Sequence, residues 1–273
     1  MSAEDGGRAS KGQPVRLQDY RAPDFLIDSV EMDISLDRRA TRVVTTLSLR
    51  PNPEGRAEAT LRLDGDELEL VDLRLDGEAL ERSAYEASAS ELIVANPPRR
   101  PFTLQIETRL DPAANTKLMG LYRSGSAYCT QCEAEGFRRI AYFLDRPDVL
   151  SVYRVRLEAD KAEAPVLLAN GNLEAKGDAG PGRHFAVWRD PFKKPCYLFA
   201  VVAGDLARVG DEFVTASGRR VELGVYVEPG RESRAAYAME ALKRSMAWDE
   251  RAYGRDGEQR PQRLQRQIRA RFG

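Results

Sequence analysis

Gln131 and Glu133 stand two residues apart in Cys129-Thr130-Gln131-Cys132-Glu133-Ala134-Glu135, and Glu133 and Glu135 repeat the spacing. On extended chain such residues point to one side. An amide oxygen beside a carboxylate suits a free α-amine, which brings three N–H donors and a full positive charge. A surface acid or a structural ion pair is the competing account of either glutamate. The same stretch holds a Cys-x-x-Cys pair, Cys129 and Cys132, for which three readings stand. It could be half of a structural zinc site completed by Cys196 and His184, a redox dithiol, or two buried free thiols. Redox motifs of this kind open a helix in a βαβ unit, which the sequence does not show, so plain thiols are favoured.

His184 is the only histidine. No motif needing two can be built from these residues, the His-Glu-x-x-His zinc helix included. A Ser-His-Asp triad is arithmetically possible, but no Gly-x-Ser-x-Gly elbow occurs. His184 lies in Arg183-His184-Phe185-Ala186-Val187-Trp188, which alternates as a strand does. It is expected to face solvent or to make a hydrogen bond there.

Hydropathy patterning predicts a β-rich scaffold around these groups. Phe25 and Ile27, then Val30, Met32, Ile34 and Leu36, alternate with polar residues, as do Val43, Thr45, Leu47 and Leu49. Further short strands are expected at 60–63, 68–75, 91–94 and 102–110, with Asp64-Gly65 and Asp76-Gly77 as tight turns. The segment 111–147 is less regular. Strands resume at 152–158, 166–170, 184–188 and 197–202. A hairpin then spans 213–227 across Ser217-Gly218, and Glu228-Pro229-Gly230 breaks it. Met239, Leu242 and Met246 fall on one face of a helix predicted over 233–251, a stripe read as core packing. The fold class expected is mainly β, an antiparallel sandwich or saddle followed by a hairpin and helix.

The whole sequence narrows the function classes. Forty-two Lys and Arg balance 43 Asp and Glu, which excludes a dominant nucleic-acid or anionic-membrane surface. The longest apolar run, from Cys196 to Gly204, falls well short of the ~18 residues of a membrane span. Residues 1–19 are polar, without the apolar region of a secretory signal, and read as a mobile leader. Three cysteines and no such signal point to a reducing cytoplasm. Residues 255–273 carry six arginines against Asp256 and Glu258 and no row of aromatics, so a solvated, disordered tail is expected rather than a nucleic-acid surface.

Six short motifs, taken in order, resemble one family. They are Tyr20-Arg21-Ala22-Pro23-Asp24, Gly120-Leu121-Tyr122-Arg123-Ser124, the stretch from Cys129 to Arg138, Leu144-Asp145-Arg146-Pro147-Asp148, Asn170-Gly171-Asn172, and the stretch from Lys194 to Ala200. The series resembles the N-terminal region of bacterial aminopeptidase N, a cytoplasmic zinc aminopeptidase of the gluzincin class, from about Tyr20 to Tyr253. The resemblance implies a β-rich domain over 20–205 and, over 206–254, the start of a thermolysin-like α+β catalytic domain. It also implies that Gln131 and Glu133 bind the free N-terminal amine of a peptide substrate, and that the paired cysteines carry no metal.

The family pattern continues with a Gly-Ala-Met-Glu-Asn segment, the His-Glu-x-x-His helix and a later glutamate ligand, none of which occurs in these 273 residues. The expectation is therefore an N-terminal fragment, ended early by a frameshift or truncation, that holds the amine-binding segment. Zinc belongs to the intact family member, and this chain is expected to hold no cofactor and to be inactive alone. Its expected partners are peptides with a free N-terminus, with no nucleic acid and no membrane. The alternative is a non-catalytic β-sandwich interaction module. The two differ at 213–253, where a fragment should expose an apolar face and a module a polar one.

Overall fold

The architecture is that of a computed structural model, which describes residues 16–253. Residues 1–15 of the expected leader and the expected tail at 255–273 lie outside the described residues. Leu17–Asp19 form a single 3-10 turn.

The chain opens with two long strands, β1 (Phe25–Ser35) and β2 (Thr41–Pro51). Shorter ones follow: β3 (Leu61–Asp64), β4 (Glu69–Leu75), β5 (Glu78–Ala79), β6 (Tyr85–Ala87) and β7 (Glu91–Val94). Next come β8 (Phe102–Leu110), β9 (Gly120–Ser124), β10 (Ala127–Gln131), β11 (Leu150–Asp160) and β12 (Val166–Ala169). The rest are β13 (Asn172–Asp178), β14 (Arg183–Pro195), β15 (Val201–Gly204), β16 (Ala207–Val214), β17 (Arg220–Val227) and the helix α1 (Ala235–Ala252).

An eight-stranded sheet runs β13-β14-β11-β1-β2-β8-β4-β5, beside a four-stranded sheet β12-β15-β10-β9 and a three-stranded sheet β3-β7-β6. Alternation sets the faces: Phe25, Ile27, Val30, Met32 and Ile34 of β1 are all buried. The three-residue step from Ile27 to Val30 coincides with a register shift against β2 between Ile27 and Ser29. That bulge returns the apolar residues to the inner face. Asp76 and Gly77 both adopt positive φ between β4 and β5, the conformation of a two-residue hairpin turn.

One strand pairing departs from the antiparallel expectation. β1 and β11 run parallel, Ser29–Ser35 against Val152–Glu158, because the long connection between them lets the chain re-enter the sheet in the same direction. The stretch expected as a strand at 197–202 begins instead as a 3-10 turn, Cys196–Leu198. Asn170 occupies its backbone, donating to the Leu198 carbonyl and accepting from the Ala200 N–H at 2.6 Å. Only Val201–Gly204 joins the sheet.

A large core fills the space between the three sheets and includes an aromatic nest of Phe137, Phe143, Tyr153 and Phe199. A second, smaller cluster joins Leu223, Val225 and Val227 of β17 to Ala235, Met239, Leu242 and Met246 of α1. The hairpin β16–β17 and α1 thus have a core of their own. No helix among the described residues is long and apolar enough to cross a membrane.

Candidate functional site

β10 lies inside its sheet, between β15 and β9, and delivers Gln131 at its end. Its base is anchored at Tyr128, whose hydroxyl donates to Glu163 at 3.1 Å. Arg38 and Arg123 reach the same carboxylate at 2.7 Å each, and the Arg123 guanidinium also lies over the Tyr128 ring. Burial raises the Tyr128 hydroxyl to about 12, with the negative charge of Glu163 adding to it, so it remains a donor. Burial also pushes Glu163 up, but the hydrogen bonds from Arg38 and Tyr128 and the Arg123 charge outweigh it and hold the carboxyl below its ordinary value. Thr130 exchanges hydrogen bonds with Val201, donating to its carbonyl and accepting its N–H at 2.7 Å.

Gln131 pairs with Gly120, which has φ +71° and could not carry a Cβ without meeting Arg139 Cβ at 2.4 Å. Beyond Gln131 the chain turns, the Gly136 N–H donating to the Cys132 carbonyl at 2.9 Å. A Cβ on Gly136 would lie 2.4 Å from the Gln131 carbonyl oxygen, so any other residue there forces the turn to shift. Gln131 Nε2 donates to the Glu133 carbonyl at 3.2 Å, and the Glu133–Ala134 peptide is cis.

This turn corrects the extended geometry expected of Glu133 and Glu135. They do not act as a pair: Glu135 faces Arg138 at 3.5 Å. Glu133 is exposed, and its carboxylate makes no hydrogen bond or ion pair among the described residues. An exposed carboxylate on a residue whose backbone is tied to a neighbouring carboxamide can accept a cation bearing several N–H donors.

Behind the turn lies a buried polar network. Asp145, with its side chain 1% exposed, accepts from the Arg138 backbone N–H at 3.1 Å and from Arg138 Nε at 2.8 Å. Its other oxygen accepts from the Cys196 thiol at 3.0 Å. Burial and the Asp145 charge hold that thiol well above the ordinary cysteine range, so it stays a donor. The neighbouring Arg139 is buried as well. It donates to the Met119 carbonyl at 3.1 Å and reaches Asp66 and Glu67 at 2.6 Å each, which fastens the β3–β4 turn to the approach to β9.

The Peptidase M1 N-terminal domain matches residues 26–198 of this sequence. The chain belongs to the M1 peptidase family. It is 51% identical to aminopeptidase N of Caulobacter vibrioides over 249 residues, covering 91% of this chain and 28% of that protein. With aminopeptidase N of Escherichia coli it shares 49% identity, over 86% of this chain and 27% of the relative. The chain thus spans little more than a quarter of the length of the curated relatives it matches. The solved aminopeptidase A of Legionella pneumophila, in complex with aspartic acid, superposes with a TM-score of 0.82 at 37% identity. That match covers 87% of this chain and 28% of that one. An M1 zinc metallopeptidase of Deinococcus radiodurans bound to Tyr-Ser-Ala has a TM-score of 0.64 at 15% identity and shares the fold.

M1 relatives use zinc, but the donors described here do not fit the ion. Cys129, Cys132 and Cys196 are buried and form no disulfide among the described residues. The Cys196 thiol is committed to Asp145, and His184, near the start of β14, has its Nε2 2.8 Å from the Ala164 carbonyl. No group of three His, Cys, Asp or Glu side chains among the described residues could hold a metal ion.

Spacing and resemblance brought Gln131 and Glu133 to notice, and the fold places them together. They missed Asp145, Arg138 and Glu163. The signal available was charge inside apolar sequence: Arg138, Arg139 and Asp145 flank Ile140-Ala141-Tyr142-Phe143-Leu144, and charges so placed must find partners once buried.

Proposed function

We propose that this chain supplies the amine-recognising N-terminal part of an aminopeptidase N-type enzyme of the cytoplasm, one that removes N-terminal amino acids from peptides. In this reading residues 20–205 form the β-rich domain and 206–254 begin the catalytic domain. Gln131 and Glu133 position the substrate's ammonium, which is how an exopeptidase measures one residue from the chain end. The observation that carries the reading is the exposed Glu133 carboxylate, which makes no hydrogen bond or ion pair among the described residues and belongs to the residue whose backbone carbonyl accepts from Gln131 Nε2. An N-acetylated peptide has neither the charge nor the three donors and gains little at such a site.

Residues 1–273 alone bind the amine and do not cleave. Ground-state binding without stabilisation of the developing tetrahedral centre leaves the hydrolytic barrier in place. The test is a fluorescence competition experiment on residues 1–273 with a short peptide and its N-acetylated twin. The free amine should bind more tightly, and Glu133→Gln should abolish the difference. Equal affinity for the two peptides would refute the amine assignment. Chelator-sensitive hydrolysis of aminoacyl chromogenic substrates, with stoichiometric bound zinc, would refute the inactivity of the 273 residues.

The interaction-module alternative predicts a polar face on the hairpin and helix. The outer side of α1 exposes Tyr237 (84%) and Trp248 (53%), with Tyr253 edge-on against Trp248 at 5.6 Å, but the Glu240–Arg244 ion pair lies between them and the hairpin carries the ion pairs Arg208–Glu222 and Arg220–Glu212. The face is mixed, and it does not separate the enzyme-domain reading from the module.

A further inference from the structure

Arg139 touches both halves of the candidate site. On one side is the start of β9. Arg139 Nε donates to the Met119 carbonyl at 3.1 Å, and Arg139 Cβ fills the space over Gly120, the register partner of Gln131. On the other side is the turn that carries Glu133. The Arg139 backbone N–H donates to the Gly136 carbonyl at 3.1 Å, and the Gly136 N–H closes the turn on Cys132. The two sides meet directly: a Cβ on Gly120 would lie 3.2 Å from the Gly136 carbonyl oxygen, and one on Gly136 3.0 Å from Met119 Cε. The Arg139 side chain is 6% exposed, with Nη1 on Asp66 and Nη2 on Glu67.

The backbone at these contacts lies in the left-handed region that side chains disfavour, with φ of +57° at Glu67 and +56° at Leu118. They are two of the three non-glycine residues with positive φ among the described residues. Glu67 pairs with the Arg139 guanidinium, and Leu118 directly precedes the carbonyl residue Met119. Such conformations persist where surrounding contacts over-determine them. Asn115 helps, donating from Nδ2 to the carbonyls of Met119 and Leu121 at 2.8 Å each.

We infer that Arg139 is a positioning residue for the amine site, tying the Cys132–Gly136 turn, and with it Glu133, to the end of β9 that holds Gln131 in register. The inference rests on the reading of Gln131 and Glu133 as the amine-binding pair. Arg139 does not touch the amine, and its effect passes through the Met119 carbonyl, Gly120 and Gly136. Lysine and methionine both fill much of the same buried space but carry a carbon where arginine has Nε, so neither can donate to Met119 from that point. Lysine keeps a cation for Asp66 and Glu67, and methionine does not.

The experiment uses residues 1–273 labelled with ¹⁵N at glutamine side-chain amides, as wild type, Arg139→Lys and Arg139→Met. Each is held at a temperature where its thermal denaturation shows it folded. The Gln131 side-chain amide, identified by its loss in Gln131→Ala, reports the bond to the Glu133 carbonyl. Competition binding gives the preference for a free-amine peptide over its N-acetylated twin. Both Arg139 variants should shift the Gln131 amide toward an exposed glutamine and lower the free-amine preference roughly threefold to tenfold, the scale of one lost hydrogen bond. Leu242→Ala, which weakens the separate core of the hairpin and α1, controls for general destabilisation and should leave both readouts at wild-type values. A folded Arg139 variant with the wild-type amide and preference would overturn the inference, as would an equal loss in Leu242→Ala. Should one Arg139 variant fail to fold, the other decides. If wild type fails to distinguish the free from the acetylated amine, the amine reading falls, and the Gln131 amide still decides whether Arg139 holds the turn against β9.

Discussion

Glu67 shows how one residue ties this fold to pH. Hydrogen bonds from Lys117 and Arg139 pull its carboxyl from 4.5 down to about 2. The folded chain thus resists protonation that the unfolded chain accepts, so the contribution is complete above pH 4.5 and is lost as pH falls toward 2. Stability should decline across that window, and Glu67→Gln should flatten the decline while changing the cation partners least. Denaturant titrations at pH 5, 4 and 3 measure it, and an unchanged slope in the variant would remove Glu67 from the account. At Glu133 sequence reading identified the residue but not its company. Two glutamates at i and i+2 suggest a pair only if the chain is extended, and the turn that separates them depends on contacts of Gly136 with Gln131 and Cys132.

Strands with one buried face were legible because alternation records burial directly. The apolar runs of β1, β2, β7 and β8 read as strands for that reason, and even the β1 bulge shows as the step from Ile27 to Val30. β16 was legible only at Phe213 and Val214, since Gly210, Asp211 and Glu212 in its middle are exposed and break the pattern. The turn after β10 is the element on which the candidate site depends. Gly136→Ala would set a methyl against the Gln131 carbonyl, and overpacking of this kind costs about 1–3 kcal/mol. Thermal denaturation should show that loss, with peptide amide shifts concentrated at Gln131–Arg138; a wild-type melting temperature would mean the turn adapts. The hairpin and α1 offer a separate check. Leu242→Ala removes part of a small cluster at a cost of about 2–5 kcal/mol, which this unit has few other apolar contacts to offset. Hydrogen exchange should accelerate across β16, β17 and α1 while β1, β2 and β11 keep their protection. Uniform acceleration would show instead that the two cores unfold together.

For the molecule as a whole, there are two cores of unequal size, and the candidate site is built by the larger one. The β-rich part carries Gln131 and Glu133 at the end of β10, whose base Glu163 anchors, and none of these groups performs bond cleavage in the proposed scheme. Recognition and chemistry are thereby assigned to different parts of an enzyme of which the matched relatives are several times longer than this chain. The most direct measurement of that division is a chimera in which residues 20–253 replace the matching segment of the Caulobacter vibrioides aminopeptidase N. The chimera should cleave free-amine peptides and spare their N-acetylated twins. Truncating one partner of a desolvated charge pair costs about 2–5 kcal/mol, so Glu133→Ala should lower kcat/KM by roughly 30- to 4000-fold. A folded, zinc-loaded chimera that cleaves equally well with and without Glu133 would contradict the account.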